Sequence, residues 1–175
     1  MEFIPLEIEG VFGILSESKS DSRGSLTRAW DSTSILKSFN LIQSSIVTNP
    51  RMGTLRGLHF QTDPFSENKV VECISGEVFD VIVDLRQESS TFGNHLEVVL
   101  GLSSAYIGLF VPSGCAHGYV TLEQDSTLIY FMDKEYSAEN SKGIHWEDPK
   151  LQIQWPIKPT VISARDQSWP KFMEN

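Results

Sequence analysis

Val78-Phe79-Asp80-Val81-Ile82-Val83-Asp84-Leu85 reads as a β-strand. Side chains alternate across a strand, so Asp80 and Asp84 share one face while Phe79, Val81, Val83 and Leu85 share the other. The run is rich in β-branched and aromatic residues, and Ser75-Gly76 supplies a turn before it. Two carboxylates on one face point inward if a polar site lies inside the fold and outward if it does not. The same pattern recurs along the chain. Short strand-like runs cover residues 41–47, 54–60, 69–74, 78–85, 96–100, 107–111, 118–122 and 127–132, with turns such as Pro112-Ser113-Gly114 between them. Helical periodicity is nearly absent. This spacing predicts an all-β antiparallel sandwich or barrel, of which the jelly roll, or double-stranded β-helix, is the closed double-sheet form.

Outside that frame the signals are weaker. Residues 10–30 hold short apolar pieces broken by turns, the clearest being Asp21-Ser22-Arg23-Gly24. Residues 31–39 begin with capping-type side chains and predict one short helix. The tail beyond Trp146 carries Trp155-Pro156, Pro159 and Trp169-Pro170, which predicts an irregular strap packed by aromatics.

A chain of 175 residues with 40% hydrophobic and 21% charged residues fits one domain, residues 1–175, with a core large enough to need no staples. The net charge of -9 argues against a broad nucleic-acid or anionic-membrane surface but leaves room for a local anion site. Cys73 and Cys115 are too few for a disulfide framework and lack zinc-type spacing, so both are expected to be core thiols. The N-terminus has no basic region followed by an apolar run, and no stretch approaches membrane-spanning length. A cytoplasmic protein without membrane or nucleic-acid partners is the expectation.

Chemistry concentrates in two places. Gly53-Thr54-Leu55-Arg56-Gly57-Leu58-His59-Phe60-Gln61 sets a guanidinium, an imidazole and an amide into an apolar strand, and Pro112-Ser113-Gly114-Cys115-Ala116-His117-Gly118 adds a second imidazole. The spacings Gly53 to His59 and Pro112-x-Gly-x-x-His117 are similar to the two motifs of cupin-type jelly rolls. A metal is not expected, because Gln61 stands where such proteins have a second histidine. With no cofactor signal either, the chemistry falls to side chains. A histidine can act as a general base at cellular pH, particularly when a carboxylate orients it. Candidate orienters are Asp80, Asp84 and Asp166. Arg56 and Lys69 could hold a phosphate or stabilise an oxyanion, and Tyr130 or Tyr136 could supply a proton. Arg56 and His59 lie three apart, so in a regular strand they face opposite ways. A bulge at Gly57 would bring both to one site.

The runs Arg56-Gly-Leu-His-Phe-Gln61, Lys69-Val-Val71, Gly76 to Arg86, Ser90-Thr-Phe-Gly93, Pro112 to Gly118 and Trp155-Pro156 together resemble the dTDP-4-dehydrorhamnose 3,5-epimerase family, over nearly the whole chain. The resemblance implies a homodimeric, metal-free, cupin-like jelly roll with a few short helices, acting on a nucleotide-diphospho-4-keto-6-deoxy sugar. It assigns the base to His59, its carboxylate partner to Asp166, the lysine to Lys69 and the acid to Tyr130. Arg56, His117, Tyr136, Gln43, Arg23 and Gln61 become substrate-binding positions. Inversion at C3 alone and a keto-isomerase are the enzyme alternatives, and a silent sugar-nucleotide-binding cupin is the non-enzyme one. The chain departs from the family at Leu26 and Arg28, where Phe and Glu are frequent, and at Ser44-Ser45, where Asp-Asn is common. In the family those segments help hold the nucleotide base, partly from the neighbouring subunit.

Overall fold

A computed structural model describes residues 1–31 and 35–172. In chain order the elements are β1 (Glu2–Pro5), β2 (Phe12–Leu15), β3 (Ser18–Asp21), β4 (Gly24–Thr27), a 3-10 turn (Ile35–Ser38), β5 (Gln43–Asn49), β6 (Thr54–Gln61), β7 (Lys69–Ser75), β8 (Glu77–Asp84), β9 (His95–Gly101), β10 (Gly108–Val111), β11 (Cys115–Thr121), β12 (Ser126–Met132), β13 (Ser141–Gly143), β14 (Val161–Ile162) and α1 (Ala164–Gln167). One sheet runs β1-β2-β10-β7-β12-β5. The other runs β13-β6-β11-β8-β9, with β14 added parallel to β6. Face to face they make the expected all-β jelly roll, and β3 and β4 form a separate hairpin.

Strand alternation sorts the side chains into layers. Between the sheets lie Val71, Cys73, Val78, Ile82, Leu109, Cys115, Tyr119 and Leu128, all buried. Asp80 and Asp84 share the parity of Val78 and Ile82, so both carboxylates point inward. The opposite face of β8 packs Val81 and Val83 under the tail, where Leu151, Ile153, Trp155 and Phe172 cover it. The outer face of the first sheet buries Ile14, Val70 and Phe131 beneath Leu36, Trp30 and Phe39. Each aliphatic side chain sealed in these layers contributes about 1.5–3 kcal/mol relative to exposure.

Two buried carboxylates serve the frame in opposite ways. Burial opposes the ionisation of Asp84, yet hydrogen bonds from Arg86, Ser89 and Thr91 hold its carboxyl well below the usual range. That knot ties the loop after β8 to the N-terminal segment, where Arg86 also reaches the Glu9 carbonyl at 2.6 Å. Glu72, on the outward parity of β7, is fully buried with no hydrogen-bond partner at either oxygen. Its burial pushes the carboxyl up to about 8. The side chain lies close over Gly108, where a Cβ would come within 2.7 Å of Glu72 Cγ.

The bulge expected at Gly57 is present. His117 pairs with His59 and Tyr119 pairs with Arg56, so two steps on β11 are matched by three on β6. Gly57 takes φ +137°, and a Cβ there would sit 2.5 Å from Gly118 Cα.

Several expectations need correcting. Residues 10–30 hold three strands, β2, β3 and β4, where only short apolar pieces and turns were expected. The strand of the second histidine motif begins at Cys115 instead of 118, which places His117 well inside it. Of the helix expected over 31–39, residues 32–34 lie outside the described residues, and the described remainder is a single 3-10 turn with Leu36 buried. The tail is a strap, as expected, but it also contributes β13, β14 and the four-residue helix α1. Trp155 Nε1 fastens the strap by donating to the Trp146 carbonyl at 3.0 Å.

Candidate active site

Inside one end of the barrel is a cavity of about 240 Å³ whose wall includes Arg56, His59, Gln61, Glu67, Lys69, His117, Tyr130 and Tyr136. It exists because the inward parity of β6, β7, β11 and β12 carries polar residues at this end and aliphatic ones farther along. The bulge at Gly57 supplies the phase change that lets Arg56 and His59 share the wall.

His59 Nε2 lies 2.6 Å from Asp166 Oδ1. Asp166 comes from α1, positioned by Ser163, whose hydroxyl accepts the Asp166 N–H at 3.0 Å as an N-cap. Burial opposes ionisation of Asp166, but hydrogen bonds from His59 and from Trp169 Nε1 (3.2 Å) hold its carboxyl below the ordinary value. The orienting group is therefore a carboxylate at neutral pH. The His59 side chain is 39% exposed and that of Asp166 6%.

A second pair stands deeper. His117 Nε2 is 2.8 Å from Asp80 Oδ2, with side chains 4% and 0% exposed. Burial raises the Asp80 carboxyl against the pull of His117 and Lys69, and Oδ1 has no partner. Of the three candidate orienters, Asp166 serves His59 and Asp80 serves His117. Asp84 serves neither, being spent on Arg86 and its neighbours.

The remaining wall is equally constrained. Burial pushes the Tyr130 phenol well above its usual value, reinforced by Tyr119 and Asp80 and opposed by Arg56, so it stays protonated at neutral pH. Its ring meets that of His117 edge-on at 6.0 Å. Arg56 Nε donates to Asn49 Oδ1 at 2.9 Å, which fixes the guanidinium. Lys69 is buried and 2.7 Å from Glu67. Gln61 lines the cavity with its amide already committed: Nε2 donates to Glu67, Phe65 and Glu135, and Oε1 accepts from Ser137 N–H.

At the mouth, Tyr136 is half exposed, and its hydroxyl accepts from Arg165 Nη1 at 3.2 Å. Gln43 holds it from below by accepting the Tyr136 N–H at 3.1 Å. A second hollow of about 490 Å³ shares Arg56, His59, Tyr136 and Ser141 with the first and continues past Arg165. Arg23 is the expected site residue that the structure does not bring here. It lies on the exposed β3–β4 hairpin, 88% exposed and bonded to Asp21 at 2.6 Å. Sequence reasoning missed Glu67, Asn49 and Arg165. Glu67 carried a signal, since two residues before Lys69 in extended chain means the same face. Among the described residues no group of three or more His, Cys, Asp or Glu is placed to hold a metal. No described helix is long and apolar enough to cross a membrane.

Chemically, the cavity joins an oriented base, a neutral phenol and a buried ammonium. Such a set can take a proton from carbon beside a carbonyl, hold the resulting oxyanion and return a proton.

Comparison with known proteins gives the same direction. A family model described as dTDP-4-dehydrorhamnose 3,5-epimerase matches residues 5–174. A protein of that name from Sinorhizobium fredii is 41% identical over 135 residues, covering 77% of this chain and 69% of the relative. A dTDP-4-dehydrorhamnose 3-epimerase from Streptomyces niveus is 34% identical over 171 residues, covering 95% of this chain and 82% of the relative. The crystal structure of a Bacillus anthracis dTDP-4-dehydrorhamnose 3,5-epimerase with TDP and PPi bound superposes with a TM-score of 0.91 at 30% identity, over 98% of this chain and 99% of that one.

Proposed function

Because this chain belongs to the dTDP-4-dehydrorhamnose 3,5-epimerase family and is a sugar-nucleotide epimerase, we propose that His59, Asp166, Lys69 and Tyr130 carry its reaction. The substrate is a nucleotide-diphospho-4-keto-6-deoxy sugar, and the whole chain, residues 1–175, works as one catalytic unit. A ketone at C4 acidifies the hydrogens on C3 and C5, so one base serves both centres. His59 donates Nε2–H to Asp166, which leaves the lone pair on Nδ1 to take the proton. The Asp166 carboxylate then stabilises the imidazolium that forms. Lys69, backed by His117, donates to the C4 oxygen as it becomes an enolate. Tyr130 returns a proton to the opposite ring face, which inverts the carbon. Arg56 and Tyr136 hold the nucleotide diphosphate end, with Gln43 and Gln61 fixing the loop that carries Tyr136.

The observation that carries this reading is the 2.6 Å His59–Asp166 contact opening onto the same cavity as Lys69 and Tyr130. The test is incubation with dTDP-4-keto-6-deoxyglucose in deuterated water, followed by NMR. Wild-type protein should exchange hydrogen at the epimerised carbons, and His59→Asn should not. Undiminished exchange in His59→Asn would remove His59 from the role of base. The same spectra separate double inversion from inversion at C3 alone, the activity in the name of the Streptomyces niveus relative.

The active form is a homodimer in the cytoplasm. Support comes from the β3–β4 hairpin, whose residues are nearly all exposed and which carries Leu26 at 74% exposure. A hairpin of that kind gains burial by lying on a second copy, which would also bring Arg23 towards that copy's sugar-nucleotide site.

A further inference from the structure

Lys69 opens β7 with its Nζ 2.7 Å from Glu67 Oε1, the two side chains 7% and 5% exposed. A buried ion pair persists only where other groups satisfy what the pair leaves over. Here Glu67 Oε2 accepts from Gln61 Nε2 at 3.1 Å, and Gln61 Oε1 accepts the Ser137 N–H at 2.6 Å. Asn68, between the two charges, is clamped on both sides. Its N–H and its side-chain amide donate to the Asp133 carboxylate at 2.8 and 2.6 Å, and its side-chain oxygen accepts the Ser113 N–H at 3.0 Å. Those bonds fix the backbone of residues 67 to 69, so the two charged side chains are held on one face.

We infer that Glu67 is a positioning residue for the epimerisation: it aims the Lys69 ammonium into the cavity, at the place where the substrate oxygen takes up negative charge. The inference rests on the proposed role of Lys69 as the donor to the enolate. A carboxylate at hydrogen-bond distance fixes where the ammonium points. The ammonium has three N–H groups, so one can stay on Glu67 while the others meet the ligand. The other titratable or charged groups facing Lys69 are Asp80 from β8, His117 and Cys115 from β11, His59 and Arg56 from β6, and Tyr130 from β12. Of these Asp80 is already bonded to His117, which leaves Glu67 as the direct partner. An ion pair serving the fold alone would affect melting and leave turnover unchanged.

The experiment compares Glu67→Gln, which keeps the shape and removes the charge, with Glu67→Asp, which keeps the charge. In Glu67→Gln, kcat should fall by about tenfold to a hundredfold, less than the loss of a whole oxyanion donor. KM should stay within about threefold, because ground-state binding is untouched. The kcat should return towards the wild-type value in Glu67→Asp. Unchanged kcat in Glu67→Gln, with only the melting temperature lowered, would overturn the inference. So would equal defects in both variants. Lys69→Met separates the two layers. If it turns over normally, the role of Lys69 itself falls. If it is slow while Glu67→Gln is normal, only the positioning role falls.

Discussion

The cavity is served by two histidine–carboxylate pairs of nearly equal length, and their surroundings differ. His117 and Asp80 come from neighbouring strands, β11 and β8, and are sealed from solvent. His59 and Asp166 come from elements 107 residues apart, and the imidazole is partly open. The carboxyls differ as well. Asp166 receives a second donor, Trp169, and is held below its ordinary range, whereas burial raises Asp80 and leaves one of its oxygens unpartnered. A base must exchange its proton with substrate and solvent and needs an ionised group behind it to stabilise the imidazolium. Only the open pair meets both conditions. The closed pair is sealed in the wall, where His117 stands beside Lys69 and Tyr130.

The comparison can be broken at several points. The largest effect is expected from His59→Asn, which should lower the rate of hydrogen exchange at the substrate carbons by about a thousandfold. Asp166→Asn should follow at about a hundredfold in kcat with KM little changed, since the imidazole remains but loses its ionised support. Asp80→Asn should cost about tenfold, within the range of a weakened wall donor. If steady-state kinetics placed Asp80→Asn above Asp166→Asn, the two pairs would have to exchange roles.

A further buried carboxyl, Glu72, has no imidazole at all and is read by stability instead of turnover. Its folded-state value, about 8, lies above the unfolded one, so the native state binds the extra proton. Stability from this group is therefore full in mild acid and declines as pH rises, by about 1.4 kcal/mol per unit between roughly pH 4.5 and 8. Asp166 has the opposite sign: its contribution is present above about pH 4 and is lost as pH falls through its lowered folded value. Urea titrations from pH 5 to 9 should show the alkaline decline in wild type and a flatter line in Glu72→Gln. Parallel lines would mean that the Glu72 carboxyl is not held neutral by the fold.

The strands that frame the site were legible because each is buried on at least one face and says so by alternation, as in Val78–Leu85. The bulge was legible too, because Arg56 and His59 could share a wall only if the strand lost its phase. What escaped were the elements without a buried face. Ser18-Lys19-Ser20-Asp21 is exposed at every position, so no hydrophobic period marks it as a strand. Arg23 was expected at the site on resemblance and stands on that exposed hairpin instead, bonded to Asp21. Glu67 was missed for another reason. Its two-residue spacing from Lys69 allows a shared face, but nothing local says that the loop before β7 folds back far enough to bury both. Asp80, Asp84 and Asp166 could not be ranked from the residues alone, since pairing across strands is a property of register.

The glycine that creates the bulge has a consequence for how this site can change. Gly57 lies against Gly118, and the clash is reciprocal: a Cβ on Gly57 would meet Gly118 Cα at 2.5 Å, and one on Gly118 would meet the Arg56 carbonyl at 2.7 Å. Neither position can accept a side chain first and wait for the other to compensate, because each is blocked by backbone. Any lineage or library that keeps this cavity must therefore keep both glycines together, and a single substitution at either one should be lost whatever else varies around it.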